Sequence, residues 1–170
     1  GLTLLALTLP GSLRQASSVG YLGLFVFLVM GILSEWAFVP LARGAISLSY
    51  AVVLPTFILY GTGAAVAVEV VGYLLGTFFE RRGWRVKLFN CGQYALTIFY
   101  AAAAFNLVGG TSGTRLDLAG ILGVGVFTLV YFIVNHGLVG LFFTLEHPEE
   151  SAMVIWGEPA KWESLTYLIT

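Results

Sequence analysis

The chain has 170 residues, of which 58% are hydrophobic and 10% are charged, and its mean hydropathy is +0.91. Soluble domains carry about 25% charged residues, so this composition excludes an ordinary soluble protein and indicates an integral membrane protein. The net charge of −1 and the lack of an extended basic run exclude nucleic-acid binding. The single cysteine, Cys91, lies in an apolar segment, which excludes a disulfide framework and predicts a buried, unreactive thiol.

Apolar stretches long enough to span a bilayer occur at residues 19–38, 88–108 and 116–145. Because they lack the alternation typical of barrel strands, they predict transmembrane helices. Residues 1–9 resemble the end of an earlier helix, and Glu158-Pro159 the start of a truncated last one. We therefore expect residues 1–170 to form one all-α, polytopic transmembrane bundle of about six helical segments, a fragment truncated at both ends.

Between Arg43 and Glu80 the only charged residue is Glu69. An unbroken helix over this stretch would be about 54 Å long, whereas the hydrocarbon core is about 30 Å thick. Pro55 and the glycines at 61 and 63 predict a break, so we expect a hairpin: a short helix at residues 49–60, a tight turn and a full helix at residues 64–79. The alternative is one long helix kinked at these positions. The preceding residues 42–50 predict an extended or loop-like stretch.

The segment ERRGWRVK, residues 80–87, holds four of the eight basic residues of the chain. By the positive-inside rule this loop is cytoplasmic. Glu35, at the end of the first span, is interpreted as an interfacial residue reaching water, or as the rim of a cavity.

Glu69 is a candidate functional residue, because a carboxylate in hydrocarbon is costly. Measured from the acidic residues that close their helices, Glu69 and His136 are expected at similar depth and within reach of each other. Three amides fall in the same spans. The set expected to line one polar cavity is Glu69, Asn90, Gln93, Asn135 and His136. The alternative is that they are interhelical hydrogen-bond partners without a ligand.

Two sequence patterns that could suggest catalysis or metal binding are rejected. Ser112, in a GTSG sequence, lies about 36 Å along the chain from His136, whereas hydrogen-bond reach is about 3 Å. His136 and His147 have no clustered carboxylates and make no metal site. The chain therefore predicts no enzyme activity, metal or cofactor. Gly72 and Gly76 form a GxxxG motif, which indicates close helix packing within the bundle or a homodimer through small-residue faces.

The pattern from Glu35 through LxRGxxSLSxAxxL (residues 41–54), the glycine turn and LFN with Gln93 resembles the membrane module that precedes cyclic-di-GMP signalling domains of HD-GYP and GGDEF type. More distantly, the short helix, glycine turn and full helix resemble the S components of energy-coupling-factor vitamin transporters. That second resemblance implies a ligand near Ser47 and Ser49, in the loop before the short helix.

The first resemblance implies a multi-pass protein of the bacterial inner membrane. We expect a membrane-embedded sensory or ligand-binding module that relays to a cytoplasmic output domain not present in this chain. Its expected partners are membrane lipid and a small polar ligand. The alternatives are a vitamin-type transport subunit and a structural assembly subunit.

Overall fold

The structure is a computed structural model that describes residues 20–37, 39–41, 44–46, 48–80, 83–110 and 118–146. Over these residues the chain forms five helices and one short pair of strands. The helices are α1 (Tyr21–Trp36), α2 (Tyr50–Tyr60), α3 (Thr62–Gly76), α4 (Trp84–Leu107) and α5 (Leu118–Glu146), and the strands are β1 (Val39–Leu41) and β2 (Gly44–Ile46). The helical segments predicted at residues 1–9 and from Glu158 onward lie outside the described residues.

Two short strands lie between α1 and α2. Of residues 42–50, which are expected to be extended or loop-like, 44–46 form β2, and Leu48 and Ser49 lie in a bend and a turn before α2. β1 pairs antiparallel with β2, with Val39 opposite Ile46 and Leu41 opposite Gly44. The pairing gives hydrogen-bond partners to backbone groups of both strands. Apart from this short strand pair, the regular secondary structure of the described residues is helical, in agreement with the expected all-α fold.

The predicted helical hairpin is confirmed, and it turns at Gly61. This glycine has φ 81°, a left-handed conformation that side chains other than glycine rarely adopt. Its N–H donates to Phe57 O at 2.8 Å and its C=O accepts from Ala65 N at 3.1 Å, so it ends α2 and starts α3. Pro55 lies inside α2 without ending it.

The fold-back of α2 on α3 follows from one hydrogen bond. Ser49 and Glu69 are 20 positions apart, yet the Ser49 hydroxyl lies 2.8 Å from Glu69 Oε1. A continuous helix would separate these residues by about 30 Å. The alternative of one long kinked helix is therefore wrong.

Glycines allow α1 and α3 to pack closely. A Cβ on Gly72 would lie 3.0 Å from the carbonyl carbon of Gly31, and a Cβ on Gly76 would lie 2.6 Å from the Cβ of Glu35. Trp36 Nε1 also donates to Gly76 O at 2.9 Å. The GxxxG motif is thus used within the chain, as one of its two interpretations predicts.

Aromatic rings join α2 to the last two helices. Phe57 lies with its ring centroid 5.0 Å from that of Phe105 on α4 and 4.7 Å from that of Phe127 on α5. Tyr50, in the first turn of α2, lies 4.9 Å from Tyr131 in the same way. These buried rings form the centre of the hydrophobic core.

α5 is long and apolar enough to cross a membrane, with 29 residues, and among the described residues it is the one helix that meets both conditions. α1, α2 and α3 are apolar but shorter, with 16, 11 and 15 residues. Large side chains of α5 face outward, namely Leu118, Ile121, Leu122, Leu129, Ile133, Leu141 and Leu145. The expected bundle of several spans thus has one candidate span in the described part of the chain.

Candidate functional site

Ser49 and Glu69 form a buried side-chain hydrogen bond that joins the two helices of the hairpin. Glu69 is 1% exposed and Ser49 is 4% exposed. Ser49 directly precedes α2, a position where a serine hydroxyl ordinarily accepts a hydrogen bond from the N–H groups of its own helix. Here the hydroxyl makes no such cap and donates to Glu69 instead. The sequence position that favours local capping is therefore used to hold a carboxyl group on a different helix.

A second carboxyl group lies close enough to Glu69 to interact with it electrostatically. This group is Glu35, near the end of α1. Glu35 is 7% exposed, so the interpretation of this residue as one that reaches water is wrong. The cause is the absence of a side chain at Gly76, which lets Glu35 pack into the seam between α1 and α3. We call Glu35, Ser49 and Glu69 the carboxyl cluster.

Near the carboxyl cluster, a hydrogen bond between an amide and a phenol joins α4 to α3. Asn90 Nδ2 donates to the Tyr73 hydroxyl at 2.7 Å, and the Tyr73 ring packs edge-on against Tyr94 at 5.4 Å. Tyr73 lies one helical turn after Glu69, on the same face of α3. Cys91, next to Asn90, is a free, half-buried thiol and also interacts electrostatically with Glu69.

A separate set of amides joins α4 to α5. Gln93 Nε2 donates to Asn135 Oδ1 and also to Thr97 Oγ1, the latter at 3.3 Å. All three side chains are buried, with exposures of 3% for Gln93, 0% for Thr97 and 8% for Asn135. We call Gln93, Thr97 and Asn135 the amide cluster.

His136 is buried beside the amide cluster, and its ring stacks on Phe132 at 5.3 Å. The hydrogen bond that the structure gives the Glu69 carboxyl comes from Ser49 and not from His136. The physical reason is helix order: α3 packs mainly against α1, α2 and α4, while α5 packs mainly against α4. The hydrogen bonds therefore link the expected residues in separate pairs, with Glu69 bonded to Ser49, Gln93 bonded to Asn135, and Asn90 bonded to Tyr73.

The sequence did not single out every residue that takes part in these polar contacts. Tyr73 and Thr97 each lie four positions after a candidate residue, Glu69 and Gln93, and this helical spacing is the signal that finds them. The burial of Glu35 was not predictable from the sequence, because it depends on how α1 packs against α3. Ser47 lies outside the described residues.

The family model named MASE9 matches residues 12–170. The chain belongs to the MASE9 family. MASE domains are membrane-associated sensor domains, so the expectation of a membrane-associated sensory module is confirmed at this level. No curated protein and no solved structure matches this MASE9 chain.

Proposed function

We propose that this MASE9 domain is a multi-pass sensor of the bacterial inner membrane, in which a small polar ligand binds at the carboxyl cluster. The observation that carries the proposal is the hydrogen bond from Ser49 to Glu69. It holds a fully buried carboxyl group at the start of a short helix inside an apolar bundle. Carboxyl groups in such surroundings are costly and are typically kept for function.

The distribution of side chains supports several membrane spans. Ten polar or charged residues are buried, while large apolar residues of every described helix except α2 face outward. A bilayer favours this arrangement, because lipid chains surround the apolar side chains and polar groups need partners inside. α4, at 24 residues, is about 36 Å long and exceeds the hydrocarbon thickness.

The chemistry of the carboxyl cluster favours a ligand that donates hydrogen bonds. A carboxyl group has two oxygens and about four acceptor positions, of which the Ser49 hydroxyl occupies one. An amine, amide or hydroxyl group of a ligand would use the remaining positions. Asn90 and the Tyr73 hydroxyl are close to the same face of α3 and extend the polar surface toward α4.

Direct contacts connect the carboxyl cluster to α5. Tyr50 follows Ser49 in sequence, and its hydroxyl lies 2.6 Å from Thr128 Oγ1 on α5. Its ring also contacts Tyr131. A ligand that moves Ser49 would move Tyr50 and with it α5, which leads toward the C-terminal part of the chain. We infer that α5 transmits the signal to an output domain, and the resemblance favours one that makes or degrades cyclic-di-GMP.

In this proposal the domain itself is not an enzyme, and its partners are membrane lipid, the polar ligand and a second copy of the chain. The transport and structural-assembly alternatives have no observation in their favour among the described residues and stay predictions.

The test uses the full-length protein in its own cells, with cellular cyclic-di-GMP as the readout. Glu69→Leu and Asn135→Leu should each remove the response to growth conditions that change cyclic-di-GMP in the wild type, while membrane levels stay equal. Leu122→Ala, at an outward position on α5 that is 61% exposed, is the control and should respond normally. Normal responses in both cluster variants would contradict the proposal.

A further inference from the structure

Exposed aromatic rings surround the turn between α3 and α4. Phe78 and Phe79 are 68% and 89% exposed, and their rings lie edge to face with centroids 5.2 Å apart. Trp84, the first residue of α4, is 68% exposed. Burying a large aromatic side chain is worth about 1.5–3 kcal/mol, so three exposed together indicate a surface that is covered in the membrane. Aromatic rings of this kind favour the level of the lipid headgroups.

Basic groups accompany these rings. The Arg85 guanidinium carbon lies 6.0 Å from the Trp84 ring centroid, within the range of a cation–π interaction. Lys87 Nζ donates to Thr77 O at 2.6 Å, which joins the residue after α3 to the first turn of α4. By sequence, Arg81 and Arg82 add two positive charges to the same segment.

We propose that the described residues 77–80 and 83–87 form an interfacial anchor that binds the anionic lipid surface of the bilayer. The Phe79 and Trp84 rings enter the boundary between headgroups and acyl chains, and Arg85 binds lipid phosphate. Charge identifies the occupant, since the segment carries four basic residues and one acidic residue, Glu80. Anionic lipid attracts such polybasic segments at the membrane surface. The anchor is independent of the carboxyl cluster, which lies inside the bundle.

The experiment places the full-length protein in nanodiscs of phosphatidylcholine or phosphatidylglycerol that carries bromine near the headgroup end of the acyl chains. Bromine quenches tryptophan fluorescence at short range. The quenching of Trp84 is obtained as the difference between the wild type and Trp84→Phe. We expect phosphatidylglycerol to quench Trp84 more strongly than phosphatidylcholine at low salt. Arg85→Gln should reduce the preference for phosphatidylglycerol over phosphatidylcholine about fivefold, which corresponds to about 1 kcal/mol per basic residue. High salt should reduce it as well.

Matched substitutions at the two ends of α4 separate the anchor from a general loss of insertion. Phe79→Ser should weaken Trp84 quenching, whereas Leu107→Ser, which changes a residue that is 86% exposed at the opposite end, should not. Equal quenching of wild-type Trp84 by the two lipids would overturn the anionic preference. No quenching by either lipid would place the segment in water or against a soluble partner, and equal effects of Phe79→Ser and Leu107→Ser would also overturn the proposal.

Discussion

At the residue scale, Ser49 shows how tertiary structure redirects a common local preference. Its hydroxyl donates to Glu69 and accepts no hydrogen bond from the N–H groups at the start of its own helix. Ser49→Ala would leave a buried carboxyl group without this donor. We expect the free energy of unfolding to fall by about 1–3 kcal/mol. Reversible unfolding in mixed micelles titrated with a denaturing detergent measures this loss.

Thr56→Val is the matched control, since it also removes a buried hydroxyl from α2. The Thr56 hydroxyl donates to Val52 O in its own helix at 2.6 Å, a bond that slightly disfavours helix geometry. Its removal should therefore change stability by less than the Ser49 substitution does. Equal losses in the two variants would show that the contact between Ser49 and Glu69 adds nothing specific.

The candidate site was partly predictable at this scale. Glu69 could be identified because a single carboxylate in an apolar run is visible in the sequence itself. The hydrogen-bond partner of Glu69 could not be identified in this way, because the depth of a residue in the membrane does not show which helices are neighbours. The expectation that Glu69 and His136 are within reach used depth alone, and in the structure α4 packs against both α3 and α5.

At the element scale, the α1–α3 seam depends on three positions without side chains, Gly31, Gly72 and Gly76. A Cβ on Gly76 would lie 3.0 Å from Ile32 O as well as 2.6 Å from the Glu35 Cβ. We expect Gly76→Ala to force the two helices apart and to destabilise the protein by about 1–3 kcal/mol. Because the displaced side chain is Glu35, the same substitution should also alter the carboxyl cluster. Thermal unfolding in detergent measures the stability change.

Gly125→Ala tests whether this cost comes from the seam. Gly125 is exposed on α5 and nothing lies within 4 Å of its added Cβ. Replacement of a helical glycine by alanine at such a site should stabilise the protein by about 0.5–1 kcal/mol. The two glycine substitutions should therefore have opposite signs. A Gly76→Ala protein as stable as the wild type would mean that the seam has more room than the structure shows.

Secondary structure was more accessible from the sequence than side-chain contacts were. The break at Gly61 was predictable because the apolar run was too long for one span and glycine suits a left-handed turn. The parallel packing of α1 on α3 was not, since it depends on where Gly31 and Gly72 meet across the seam. Turns can be predicted from the local sequence. Which helices pack against each other depends on the shapes of both helix surfaces, which the local sequence does not show.

At the scale of the whole molecule, the two ends of α4 should lie on opposite sides of the membrane. Gly83, just before the helix, and Leu107, at its end, are both exposed and about 36 Å apart along the axis. In a Cys91→Ser background, Leu107→Cys should react with a membrane-impermeant maleimide in right-side-out vesicles. Gly83→Cys should react in inside-out vesicles, since the basic segment favours the cytoplasmic side. The Cys91→Ser protein alone sets the background. Labelling of both positions from one side would contradict a spanning α4, and exchange of the two sides would reverse the orientation of the whole bundle.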